Sequence, residues 1–194
     1  MKKNFAILTL IAAIAFAFTM PKEMLKVDTD ASYITWKGYK VTGQHHGKVK
    51  LKGGNLEYDN GKLIGGNFEI DMTTITNEDL QGGSADKLIG HLKSEDFFGV
   101  EKHPTAKFVI TKIAEAKLGE YRVKGDLTIK STTKPVSFNA LISEKEGKRV
   151  AIATIKIDRS EYDIRYGSGT FFENLGDKTI YDEFDLEVML VANK

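Results

Sequence analysis

The sequence predicts an all-β protein, an eight-stranded antiparallel up-and-down barrel with a short helical insertion between its third and fourth strands. Three observations carry that expectation. Apolar residues recur at every second position along most of the chain, turn-forming dipeptides join the alternating segments, and only two stretches break the pattern.

The alternation places strands near 31–41, 47–58, 62–74, 105–117, 121–130, 134–144, 149–158 and 182–192. In the third, Phe68, Ile70 and Met72 alternate with Asn67, Glu69 and Asp71. In the fifth, Val123, Leu127 and Ile129 alternate with Lys124, Asp126 and Thr128. The sixth sets Val136, Phe138, Ala140 and Ile142 against Ser137, Asn139 and Ser143, and the last sets Phe184, Leu186, Val188 and Leu190 against Asp185, Glu187 and Met189. Each strand therefore has one apolar and one wet face. Asn60-Gly61 is a strong type I′ hairpin signal, Gly119-Glu120 suits a II′ turn, and Glu146-Gly147 suits a slightly longer one. Short joints of this kind link antiparallel neighbours, and closing the meander into a barrel removes exposed edges. A β-sandwich shares the alternation, but it usually needs Greek-key crossovers and few long connections exist here.

The first interruption, Asn77 to Pro104, reads as a helical lid. Ser84 is placed to cap a helix whose Leu88 and Leu92 lie one turn apart on one face, followed by Phe97 and Phe98. The second, Ser160 to Tyr181, is a glycine-containing loop holding Tyr162, Tyr166, Phe171 and Phe172. Long loops in compact domains are usually functional or disordered, and aromatic content argues against disorder.

The first twenty residues differ in kind. Lys2 and Lys3 precede an apolar run from Phe5 to Phe18, and Ala13, Ala15 and Ala17 offer small residues for cleavage, the pattern of a secretory signal peptide over 1–20. A membrane anchor is the alternative, but the run is shorter than the roughly 20 residues a spanning helix needs. The expectation is a single domain over 21–194, periplasmic or secreted, without stable membrane insertion and without a lipid-modified cysteine. The whole chain carries 28 Lys plus Arg against 27 Asp plus Glu, and removing Lys2 and Lys3 leaves 26 against 27, a charge of −1. No basic stripe marks a nucleic-acid binder. With no Cys, disulfide scaffolds, thiol catalysis and cysteine-ligated metal sites are excluded.

Three segments taken in order, HLKSEDFF at 91–98, EKHPTAKF at 101–108 and GDLTIKSTTKPV at 125–136, resemble the YceI family of lipid- or polyisoprenoid-binding proteins, and the resemblance runs from about Val27 to Val191. The segments GQHHGKVKL at 43–51 and YGSGTFFENLGDKTIYDEF at 166–184 resemble an exported branch of that family. The resemblance implies a lipocalin-like barrel with a helical insertion, enclosing a long isoprenoid chain or isoprenoid quinone, in a family associated with stress responses. The partner it implies is a long-chain apolar small molecule, with no other cofactor. A dimer is compatible with it.

Strands of about ten residues tilted by about 40° give a barrel roughly 25 Å tall, suited to a long narrow tail. If the inward faces carry Trp36, Phe68, Ile70, Phe108, Leu127, Phe138, Ile157 and Leu186, with Leu92, Phe97 and Phe98 closing over them, the lumen is uncharged and poor in hydrogen-bonding groups. Each buried CH₂ of a ligand would then contribute roughly 0.8 kcal/mol before ordering costs. A solid packed core is the plainer alternative. Polar head-group candidates are His46 at a strand start, with a solvated turn as its plainer role, and Arg159 and Arg165 flanking the aromatic loop, with structural ion pairing as theirs.

No catalytic residue and no metal site are expected. Adjacent His45 and His46 point to opposite faces of a strand, and His91 with Glu95 is a single i,i+4 pair. Ser168 between Gly167 and Gly169 lacks the nucleophile-elbow spacing. Asp158, Arg159, Glu161 and Asp163 read as a surface ion-pair cluster. The functional expectation is a binding protein that carries or sequesters its ligand. The rivals are a lipid isomerase or cyclase, which needs a buried acid or base in the lumen, and a structural or interaction protein with a filled core.

Overall fold

The computed structural model describes residues 22–193, so the expected export signal lies outside the described residues. The alternating segments form strands β1 (Glu23–Val27), β2 (Tyr33–Lys40), β3 (Gly43–Asp59), β4 (Lys62–Asp71), β5 (Thr105–Lys117), β6 (Glu120–Ile129), β7 (Thr132–Lys145), β8 (Lys148–Asp158) and β9 (Ile180–Asn193), with one helix, α1 (Gly83–Lys93), between β4 and β5. All neighbours are antiparallel and the ring closes in the order β2-β9-β8-β7-β6-β5-β4-β3. This is the expected eight-strand barrel with its helical insertion.

Its first stave is split. β1 pairs with β3 at Leu25↔Leu56 and with β9 at Val27↔Ala192, while β2 pairs with the same two strands further along, at Ile34↔Val49 and Ile34↔Val188. The expected strand at 31–41 is thus the second half of a stave that begins at Glu23. The break falls at a turn in which the Asp28 carboxylate accepts the Ala31 N–H and the Asp28 carbonyl accepts the Ser32 N–H.

Turn chemistry sets the hairpin end of the barrel. Asn60 and Gly61 both take positive φ, 50° and 76°, as a type I′ turn demands. Two expected turns are corrected. The β5–β6 turn is Leu118-Gly119, with glycine second rather than first, so a II′ turn at Gly119-Glu120 does not form. Glu146 and Gly147 make a tight two-residue turn, not a longer one, because Glu146 itself adopts φ 52°.

The ladders around the barrel are unevenly fastened. β7 and β8 pair from Lys145↔Lys148 to Ala140↔Ala153 and no further, leaving the helix-end halves of both strands unjoined. β4 and β5 pair only from Asp71↔Thr105 to Asn67↔Val109, leaving their hairpin-end halves unjoined. Counting in twos from the tight turns at both ends of β7 directs the backbone N–H of its odd-numbered residues toward β8. Pro135, which has no N–H, sits at one of these positions in the unjoined half, where proline is tolerated.

At the helix end, β3 runs past β4 and is flanked instead by the segment after it. Thr76 and Glu78 give their N–H groups to the Lys48 and His46 carbonyls. α1 begins at Gly83 behind an N-cap at Gly82, so Ser84 falls inside the first turn and makes no cap bond, a correction to the expected start. Leu92 on its inner face is buried and Leu88 packs against the same core.

Candidate ligand cavity

The inward faces do not fill the barrel. They enclose a cavity of about 360 Å³, within the range of small-molecule sites. Its wall reaches from Leu63, Val123 and Ile142 near the hairpins to Tyr39, His45, His91 and Tyr181 at the other end. Leu63 and Val123 at the hairpin end are buried, whereas Tyr181 at the helix end is 51% exposed.

Of the residues expected inside, Trp36, Phe68, Ile70, Leu92, Phe97, Phe98, Phe108, Leu127, Phe138 and Leu186 line this cavity. Phe68, Phe108 and Phe138 form its aromatic middle, with centroids 6.4 Å apart for the first pair and 5.5 Å for the second. Ile157 is buried in the core but stands off the cavity wall. His46 and Arg165 also stand off it; His46 has a 43% exposed side chain, and Arg165 pairs with Asp163 and lies over the Phe171 ring on the surface.

Arg159 lines the cavity, and its guanidinium is already engaged. It donates to the carbonyls of Tyr181, Ile164 and Ile180, pairs with Asp182 at 3.2 Å and lies 5.3 Å from the centre of the Phe97 ring. It is 1% exposed, so the surface ion-pair cluster expected around it is not what forms. Burial lowers its pKa, with Asp182 and Asp158 opposing that shift.

The two interruptions of the meander meet over the helix end. Arg159 covers Phe97, Phe97 meets Phe98 at 5.1 Å and His91 at 5.6 Å, and His91 meets Tyr166 edge-on at 4.2 Å. The helix and the 159–181 loop thereby form one cover.

The expectation of an uncharged lumen poor in hydrogen-bonding groups is corrected at this end, where Lys40, Arg159, His45 and His91 reach the wall. Counting back in twos from the inward Leu51 and Val49 puts His45, not His46, inside, a signal present in the sequence. Asp79 orients His45, accepting from its Nδ1 at 2.7 Å, from the His46 N–H at 2.9 Å and from the Asn77 amide at 2.6 Å. Burial pushes the Asp79 carboxyl up, but these bonds outweigh it and hold the pKa at about 2. Because a carboxylate only accepts, His45 Nδ1 must carry the proton, leaving Nε2 as an acceptor in the neutral ring. His91 has no such orientation signal in the sequence; its place follows from how the helix docks.

A closed antiparallel barrel around an apolar cavity, covered at one end by a helix and an aromatic loop, defines the class of ligand-enclosing β-barrels. The chain belongs to the YceI-like domain family, whose model matches residues 25–192. A UPF0312 protein of Pseudomonas putida is 33% identical over 154 residues, covering 76% of this chain and 76% of that protein. Another from Vibrio cholerae is 30% identical over 146 residues, covering 72% and 74%. Among solved structures, BcnA of Burkholderia cenocepacia superposes with a TM-score of 0.71 at 22% identity over 86% of this chain and 99% of that one. A polyisoprenoid binding domain from Saccharophagus degradans, implicated in plant cell wall breakdown, superposes with a TM-score of 0.66 at 12% identity over 87% and 97%.

Proposed function

We propose that this protein encloses a long apolar molecule of the isoprenoid or isoprenoid-quinone type in its barrel and carries or sequesters it in the periplasm or outside the cell, after removal of the N-terminal signal. The observation that carries the proposal is the cavity itself, whose wall is apolar along the barrel and carries Lys40, His45, His91 and Arg159 toward the helix end. Membership of the YceI-like family and the likeness to a polyisoprenoid binding domain support the same reading. Affinity would come from burial of the tail, and selection from its length and girth.

Binding, not bond-making chemistry, is the function proposed. The one observation that favours a lipid isomerase is the Asp79–His45 pair, whose imidazole reaches the cavity wall. Native mass spectrometry of the purified protein, followed by solvent extraction, separates the readings. A carrier retains an extractable lipid or takes up an added prenol and returns it unchanged; an isomerase returns an altered product. A mass equal to the bare polypeptide with no uptake of added prenol would overturn the proposal. The intact mass also reports whether residues 1–20 have been removed, and subcellular fractionation tests the location.

A further inference from the structure

We propose that the helix end of the cavity is a head-group subsite for a neutral oxygen function, a hydroxyl or a carbonyl at one end of the apolar ligand, with His91 as its principal contact. This rests on the carrier reading and adds to it a polar anchor and a choice of ligand chemistry.

His91 Nε2 is buried and has no hydrogen-bond partner among the described residues. The residue lies on the wall of the cavity, with the Phe97 and Tyr166 rings against its imidazole. Buried polar atoms in native proteins are nearly always matched, so an imidazole nitrogen left unmatched beside a ligand cavity marks a bond that the ligand supplies. Tyr166, the ring nearest to it, is 49% exposed and belongs to the cover, so an entering head group has a displaceable neighbour to move past.

The second contact is independent. Asp79 fixes the protonated Nδ1 of His45 toward itself, which presents Nε2 as an acceptor at the same end of the cavity. A hydroxyl serves both rings, donating to His45 or exchanging a bond with His91. A phosphate finds little: the Arg159 guanidinium is taken by three carbonyls and Asp182, and Lys40 is the one lysine on the wall among the described residues.

The test compares three probes with one C20 tail, geranylgeraniol, its hydrocarbon analogue without the hydroxyl, and geranylgeranyl phosphate. Quenching of Trp36, the one tryptophan of the chain and part of the cavity wall, reports binding. The alcohol is expected to bind up to about tenfold more tightly than the hydrocarbon, the range of one net hydrogen bond. His91→Leu should erase that difference, and His91→Gln should restore part of it. Equal affinities for alcohol and hydrocarbon in the native protein overturn the subsite and leave the carrier standing. Tighter binding of the phosphate overturns the neutral head group. Failure of all three probes to bind overturns the carrier reading together with the subsite. The native-protein comparison needs no variant, so a misfolded His91→Leu does not rescue the proposal.

Discussion

Trp36 gives its indole N–H to the carbonyl of Thr76, forty residues along the chain, at 3.0 Å, and it does so beside Gly47, its direct partner on β3. A Cβ at position 47 would stand 1.9 Å from that carbonyl oxygen. The missing side chain is therefore what lets the segment after β4 lie against β3, and the indole fastens it there. Gly47→Ala is expected to destabilise the fold by about 2 kcal/mol, the usual range for overpacking. It should also shift Trp36 emission to the red as the 74–79 segment lifts away. An unchanged urea midpoint and emission spectrum would show that the segment is held elsewhere.

The aromatic middle of the cavity gives the sharpest test of enclosure. Phe68→Asp or Phe138→Asp places a carboxylate against the tail, and an unpaired charge in an apolar setting is costly. Ligand uptake should fall at least about tenfold in both variants while far-ultraviolet circular dichroism stays native. Normal uptake by both folded variants would mean that these faces do not meet the ligand.

Arg159 is expected to matter for stability rather than for ligand charge. Arg159→Lys keeps the cation but loses the fork that reaches the Tyr181, Ile164 and Ile180 carbonyls together. The orphaned buried carbonyls should cost on the order of 3 kcal/mol, read from chemical denaturation. If the lysine variant is as stable as the native protein but loses affinity for a prenyl phosphate, the residue is a head-group contact instead.

Asp79 sets an acid limit. Its pKa is about 2 in the folded protein against an ordinary value of 3.8, so it stabilises the fold above pH 4 and that contribution disappears as pH falls toward 2. Urea midpoints measured across this window should fall more steeply for the native protein than for Asp79→Asn. Parallel curves would mean that the carboxylate is no better placed folded than unfolded.

The unjoined half of the β7–β8 boundary has an exchange signature. The N–H groups of Ser137 and Asn139 point toward β8 where no ladder receives them, whereas that of Leu141 lies inside the paired half. Amide exchange followed by NMR should find the first two fast and Leu141 protected, with Thr154 and Ile152 showing the same contrast across the seam. Uniform protection along β7 would close the gap.

The barrel was legible because its alternation is strict: Val136, Phe138, Ala140 and Ile142 all face inward, and Asn60-Gly61 turns as its φ preferences require. What escaped is what strand period alone does not carry. Ile157 faces inward like Phe138, yet one is in the packed core and the other on the cavity wall, a difference that alternation does not encode. The strand start draws attention to His46, whereas the phase of Val49 and Leu51 points to His45. Burial of Arg159 depends on carbonyls more than twenty residues away, at Ile180 and Tyr181, and no local pattern announces that.

The half-fastened boundaries lie at opposite ends, β7–β8 free beside the cover and β4–β5 free beside the hairpins. The panel of β5, β6 and β7 is thus riveted to the rest of the wall at two diagonal corners. A swivel of that panel about its rivets would widen either rim without breaking one ladder bond, so the pairing leaves the circumference of the wall restrained there by apolar contacts rather than by backbone hydrogen bonds.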